Sequence, residues 1–202
     1  MTARLAVCIS GGGRTLLNLA DRIDAGRLDA EIALVIASRE CAGAERARAR
    51  GLPVVVEPGD IPAARIGALL REAKAEWVVL AGYLRLLPIP PGFEGKVVNI
   101  HPALLPAFGG RGMHGERVHK AVLDAGCKVS GCTVHLCDDR YDTGPIILQR
   151  ACEVRDDDTP ESLGARVFDL ETEALPEALA LLLSGAVEVE GRRTRRHAPA
   201  KR

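Results

Sequence analysis

The sequence predicts an α/β fold: a doubly wound, mostly parallel sheet with helices on both faces, and an antiparallel strand in its C-terminal part. Three observations predict it. The first half alternates short apolar runs with helical segments. Those runs are apolar on both faces, as strands covered on both sides must be. Glycine and proline punctuate them at the rhythm of strand, helix, strand.

"LAVCIS" (5–10) is an apolar run that stops at glycines. "TLLNLADRIDAG" (15–26) carries Leu16, Leu19 and Ile23 at helical spacing and ends at Gly26. "EIALVIAS" (31–38) is a second strand, "GAERARARG" (43–51) a helix closed by glycine, and "PVVVE" (53–57) a third strand. A helix over 61–76 leads into "WVVLAG" (77–82), and "KVVNIH" (96–101) is the fifth strand.

The second half changes character. Residues 113–126 read as a helix. "KVSGCTVHLCDD" (128–139) and "GPIILQRACEV" (144–154) read as antiparallel strands joined by "DRYDT". A long helix spans 158–185, with Thr159 as N-cap and Pro160 in the first turn. Its buried stripe is Leu163, Val167, Leu170, Ala174, Ala178 and Leu182, with a kink expected at Pro176. A short strand, "AVEVE", follows.

The 202 residues suit one domain. Only 3% are aromatic, so Leu, Val, Ala and Ile must fill the core. Net charge is zero, which gives no global pull toward nucleic acid. The tail "RRTRRHAPAKR" is basic throughout; it reads as a solvated, disordered end or as a weak polyanion binder. The six cysteines form no CxxC pair, and Cys132 and Cys137 fall on opposite faces of one strand, which argues against a shared metal. Cys8 and Cys152 read as small core residues. Without a signal peptide or membrane span in view, a reduced, cytoplasmic protein is expected.

Three features carry chemistry. "ISGGGRT" joins a strand to a helix through glycines. It serves equally as an anion site, where backbone and helix N–H groups meet phosphate, or as a tight turn. In "VVNIHPALLPAFGGRG", Asn99 and His101 share one face at the C-terminal end of a strand, where ligands of open α/β sheets bind. An amide beside an imidazole suits an oxyanion; loop carbonyls satisfying both side chains is the plainer reading. Asp142, in "YDTGP", is a turn aspartate or a partner that raises the imidazole pKa and orders its ring.

"NIHPALLPAFGG", "SGCTVHLCDDRYDTGPIILQ" and "ISGGG" together resemble the folate-dependent formyltransferase family, over about residues 5 to 185. The resemblance implies one domain over 1–190, with a nucleotide- and phosphate-binding half (1–101) and a folate-binding half (102–190); the charge pattern leaves 191–202 as a disordered basic tail. It implies formyl transfer from 10-formyltetrahydrofolate, as co-substrate and without metal, to the amine of glycinamide ribonucleotide in de novo purine biosynthesis. The family's catalytic residues fall on Asn99, His101 and Asp142, with Asp142 holding His101 charged. Its phosphate loop falls on Gly11, Gly12, Gly13, Arg14 and Thr15. Its pterin-enclosing segments fall on Leu84, Arg85, Leu86 and Leu87 and on Cys137, Asp138, Asp139, Arg140 and Tyr141. His135 matches a supporting histidine, and Glu171 the acceptor-binding glutamate. The implied partners are small molecules, with neither nucleic acid nor membrane, and the implied state is monomer or homodimer.

Two departures lie on the acceptor side. Arg14 and Thr15 stand where Ser and Asn are usual, and Phe168 where a polar residue is usual. A different amine acceptor, or hydrolysis of formyltetrahydrofolate, is therefore the alternative, and a non-catalytic folate or nucleotide binder the reading from another class. The relatives on tRNA or nucleotide sugars are expected to carry a further domain, and the hydrolases an N-terminal regulatory one.

Overall fold

The computed structural model describes residues 2–197. The chain divides into two compact units, with the boundary between Asn99 and Ile100.

The first unit is a parallel sheet in the order β3-β2-β1-β4-β5. Its strands are β1 (Ala3–Ile9), β2 (Ala30–Ala37), β3 (Val54–Val56), β4 (Trp77–Leu80) and β5 (Val97–His101), whose last two residues lie past the boundary. Helices α1 (Arg14–Asp24), α2 (Ala42–Ala49) and α3 (Ala63–Glu72) connect them. The chain winds outward from β1 to β3, then returns to the other side of β1. Crossovers of this kind are right-handed as a rule, and winding in opposite directions places helices on opposite faces. Leu5 to Ile9, Val35 to Ala37, Val78 and Val79 are buried, as the two-sided apolar runs required. The reversal of strand order falls between β1 and β4, so the loops that follow these two strands lie side by side.

The second unit pairs β6 (Val129–Leu136) antiparallel with β7 (Ile146–Glu153), between α4 (Glu116–Asp124) and α5 (Pro160–Leu183). Thr159 caps α5: its side chain accepts from the Ser162 N–H, while Ser162 accepts from the Thr159 N–H. Pro176 lies within the helix without ending it. Leu163, Val167, Ala174, Ala178 and Leu182 are buried; Leu170 is only half-buried, and Leu175 and Leu179 fill the stripe instead.

Two expectations need correcting. Residues 193–196, assigned to a disordered tail, form a strand: β9 (Arg193–Arg196) pairs antiparallel with β8 (Val187–Glu190). The alternating Val and Glu of β8 offer a ladder and opposite charges: Glu190 pairs with Arg195 and Glu188 with His197, while Thr194 and Arg196 donate to the carbonyls of Ile146 and Ile147. The rest of that tail, 198–202, lies outside the described residues. Cys152 is half-buried rather than core, whereas Cys8 and Cys132 are buried, and burial pushes both of these thiols up to about 12. All six cysteines are free.

Thr159→Ala removes the cap of α5 and is expected to cost about 1 kcal/mol. Urea denaturation should show a lower midpoint with an unchanged slope.

Candidate active site

In the first unit, β1 ends at Ile9 and the chain turns through Gly11, Gly12 and Gly13 into α1. The N-cap is Gly13, at φ 73°, a conformation that favours glycine, and it has no side chain with which to cap the helix. The first turn of α1 carries no acid, so its N–H groups and positive end suit an anion. Arg14 is exposed at the helix start and Thr15 is half-buried. The preceding Ser10 is the joint of this corner. Its hydroxyl accepts from Ser38 (2.7 Å) and from the Leu84 N–H (3.0 Å), and its carbonyl accepts from Arg39 (3.0 Å).

That bond ties the loop after β4 to the loop after β1. Leu84 and Leu86 are 43% and 42% exposed, so they stand outside the core as an apolar surface. Leu87 is core instead, and the Arg85 guanidinium is turned to Asp60 (2.9 Å).

The second unit brings together His101, His135 and Asp142. The imidazoles are 3% and 1% exposed. His101 Nδ1 lies 3.6 Å from Asp142 Oδ2, and His135 Nε2 lies 3.5 Å from Asp142 Oδ1. The remaining nitrogens meet carbonyls: His101 Nε2 reaches the Phe108 oxygen at 2.8 Å, and His135 Nδ1 the Leu136 oxygen at 2.9 Å. A carbonyl only accepts, so those nitrogens carry the protons. The Gly110 N–H donates to Asp142 Oδ2 (2.8 Å). One carboxylate thus faces two imidazoles and a backbone amide.

The segment after β5 clamps this group. Phe108 has φ 55° and Asp142 φ 57°, in the left-handed region where a bulky residue sits at a cost on the order of 1 kcal/mol. A side chain at Gly109 would meet Leu105 at 2.6 Å and Asp142 Cβ at 3.1 Å. The Thr133 hydroxyl anchors the segment: it donates to the Ala103 carbonyl (2.6 Å) and accepts from the Leu105 N–H (3.0 Å). Gln149 adds bonds to the Leu105 carbonyl and to Thr133 (both 3.0 Å).

Asn99, half-buried, is two residues before His101 on β5 and shares its face by strand parity. In the 137–143 turn, Asp138 is bound locally, accepting from Thr143 (2.7 Å) and the Arg140 N–H (3.0 Å). Asp139 and Arg140 are exposed; Cys137 and Tyr141 are half-buried. Glu171 and Phe168 are half-buried on α5, and with burial the Glu171 charge helps raise the Cys132 pKa.

One expected charge state is corrected. The resemblance implies that Asp142 holds His101 charged; the His101 pKa is instead lowered, because burial outweighs the Asp142 carboxylate and the Phe108 carbonyl, and His135 adds to the lowering. Burial works to raise Asp142 as well. There the hydrogen bond from His135, the charge of His101 and the Gly110 N–H prevail and hold it below the usual carboxylate range. The site therefore pairs an ionised carboxylate with an imidazole that is neutral near pH 7. Among the described residues no group of three or more His, Cys, Asp or Glu could hold a metal ion, and no helix is long and apolar enough to cross a membrane.

The sequence reading missed the Phe108 carbonyl, the Gly110 N–H and the Ser10–Ser38 pair. "PAFGG" signalled a turn, but backbone groups leave no residue-type signature.

A model of the family described as Formyl transferase matches residues 3–179. The chain is 40% identical over 189 residues to an Arabidopsis thaliana protein named phosphoribosylglycinamide formyltransferase, chloroplastic; the match takes in 89% of this chain but 65% of that one, so the chain spans a little under two thirds of that relative. A crystal structure titled glycinamide ribonucleotide transformylase 1, from Symbiobacterium toebii, superposes with a TM-score of 0.88 at 38% identity, over 96% of this chain and 94% of that one. A formyltetrahydrofolate deformylase from Pseudomonas syringae pv. tomato superposes with a TM-score of 0.86 at 26% identity, over 98% of this chain and 67% of that one.

A lowered folded-state His101 pKa means that the unfolded chain takes up that proton first as pH falls. The stability conferred by neutral His101 is full above about pH 6.5 and is lost below it. The share of Asp142, also lowered, is present above about pH 4 and is lost as pH falls through its folded value. Urea midpoints should therefore drop from pH 8 to pH 5. His101→Gln should flatten that slope, leaving the part due to His119, whose pKa burial also lowers. An unflattened slope would contradict the assignment.

Proposed function

Because the chain belongs to the formyl transferase family, we propose that it transfers a formyl group from 10-formyltetrahydrofolate to the amine of glycinamide ribonucleotide, a step of purine biosynthesis. The observation that carries the reading is the buried His101–Asp142 contact at the C-terminal end of β5, with Asn99 two residues away. The choice of acceptor rests on the names of the Arabidopsis and Symbiobacterium relatives.

The substrate amine attacks the formyl carbon directly. A C–N bond forms and the formyl oxygen takes up negative charge. The Asn99 amide donates to that oxygen, and the His101 Nε2–H joins it by exchanging the Phe108 carbonyl for the oxyanion. Neutral in the free protein, His101 gains basicity as the negative charge develops beside it, so it can take a proton there. The intermediate then collapses: the bond to the folate nitrogen breaks, the amine's proton passes to that nitrogen through water, and Asp142 stabilises the imidazolium in between. Tetrahydrofolate and the formylated amine are the products. Leu84 and Leu86 offer the pterin an apolar wall. Gly11 to Thr15 take the acceptor's phosphate, with Arg14 supplying charge where the family has a serine. Glu171 meets the acceptor's amine end, and Phe168 leaves that side less polar. The free thiols suit a reducing, cytoplasmic compartment.

Hydrolysis of formyltetrahydrofolate is the second reading, favoured by the likeness to the Pseudomonas deformylase. Release of tetrahydrofolate followed spectroscopically, with and without glycinamide ribonucleotide, separates the two. Release only with the nucleotide is expected; release without it would establish the hydrolase. His101→Ala and Asp142→Asn should each lower kcat by about a hundredfold or more with folate affinity kept, the scale of a lost acid–base group. Retained turnover in His101→Ala would remove the imidazole from the mechanism. Arg14→Ala should raise the acceptor KM more than it lowers kcat; an unchanged acceptor KM would take Arg14 out of the site.

A further inference from the structure

The glycine loop does not shape itself. Helix α2 lies against it, and two residues of that helix touch it. The Gly43 N–H donates to the Gly11 carbonyl (2.9 Å). Arg46, three residues along the helix and so on the same face, donates from Nη1 to the Gly12 carbonyl (2.7 Å). The approach at Gly43 tolerates no side chain: a Cβ there would lie 2.6 Å from the Gly11 oxygen and 3.0 Å from the Gly13 nitrogen. A Cβ at Gly13 would lie 2.8 Å from the Gly43 Cα. Two consecutive carbonyls of the loop are therefore tied to one helix.

The planarity of the peptide bond converts this into a functional statement. In a trans peptide the C=O of one residue and the N–H of the next point in opposite directions. Drawing the Gly11 and Gly12 carbonyls toward α2 turns the N–H groups of Gly12 and Gly13 away from it. Consecutive N–H groups aimed one way, at the start of a helix, form an anion-binding concavity. The guanidinium of Arg46 also leaves positive charge beside the loop.

We propose that Gly43 and Arg46 are positioning residues for phosphate recognition: they hold the Gly11 and Gly12 carbonyls so that the Gly12 and Gly13 N–H groups face the acceptor's phosphate. This rests on the reading of Gly11 to Thr15 as the phosphate loop. It also accounts for a loop that departs from the family pattern at Arg14 and Thr15, since the backbone donors are set from α2 and not by those side chains.

The test uses inorganic phosphate as the probe and the amide resonances of Gly12 and Gly13 as the readout, alongside steady-state kinetics. Arg46 is exposed, so Arg46→Met should fold normally; Gly43→Ala is the harsher variant. Arg46→Met should weaken phosphate binding and raise the acceptor KM by about tenfold, the scale of one misdirected charge-assisted hydrogen bond. Its kcat and the folate KM should stay within about twofold. Arg46→Lys, which keeps a donor and the charge, should recover part of the loss. If phosphate shifts the Gly12 and Gly13 amides of the unmodified protein, but with the same affinity in Arg46→Met, the loop reading stands and the positioning role is overturned. If phosphate neither shifts those amides nor competes with the acceptor in the unmodified protein, the loop reading fails and the inference falls with it.

Discussion

Burial of the Asp142 carboxylate is the constraint on which the second unit depends. A carboxylate taken from water must find compensating donors or lose its charge. Here it finds the Gly110 N–H, and it faces the imidazoles of His135 and His101, which donate to it once protonated. Meeting that demand brings the segment after β5 against the turn before β7. It places Phe108 and Asp142 at positive φ and excludes a side chain at Gly109. The Thr133 hydroxyl, bonded at both ends, and the Gln149 amide hold the same segment from the β6–β7 ladder. His101 is set from both sides of its ring: the Phe108 carbonyl fixes which nitrogen carries the proton, and Asp142 waits at the other.

The same burial decides the electrostatics. Placing an ionised partner beside an imidazole raises its pKa, but removing the imidazole from water lowers it, and at His101 the second effect wins. In the proposed reaction the imidazole becomes a cation only as negative charge builds on the substrate. That is a differential interaction, stronger in the transition state than before it, and it is the kind that accelerates a reaction.

Much of this architecture was legible in the sequence because the signals are local. Two-sided apolar runs gave the parallel strands, and Thr159–Pro160 gave the start of α5. The strand parity of Asn99 and His101 gave their common face. What was not legible depends on burial and on backbone. The strand Arg193–Arg196 looked like a solvated basic end because its partner, the Val–Glu alternation of β8, supplies pairing that composition alone does not reveal. The direction of the His101 shift follows from how deeply the strand end is covered. Leu87 shares one short apolar run with Leu84 and Leu86, yet only the latter two stay outside the core. Phe108 and Gly110 act through a carbonyl and an amide, which every residue type possesses.

The most direct test of the central claim is nitrogen-15 NMR of the His101 imidazole in the intact protein across pH 5 to 8. The account predicts a neutral ring at pH 7 with its proton on Nε2 and an apparent pKa below the ordinary value of about 6.5. A ring still protonated above pH 7, or one with its neutral proton on Nδ1, would contradict it.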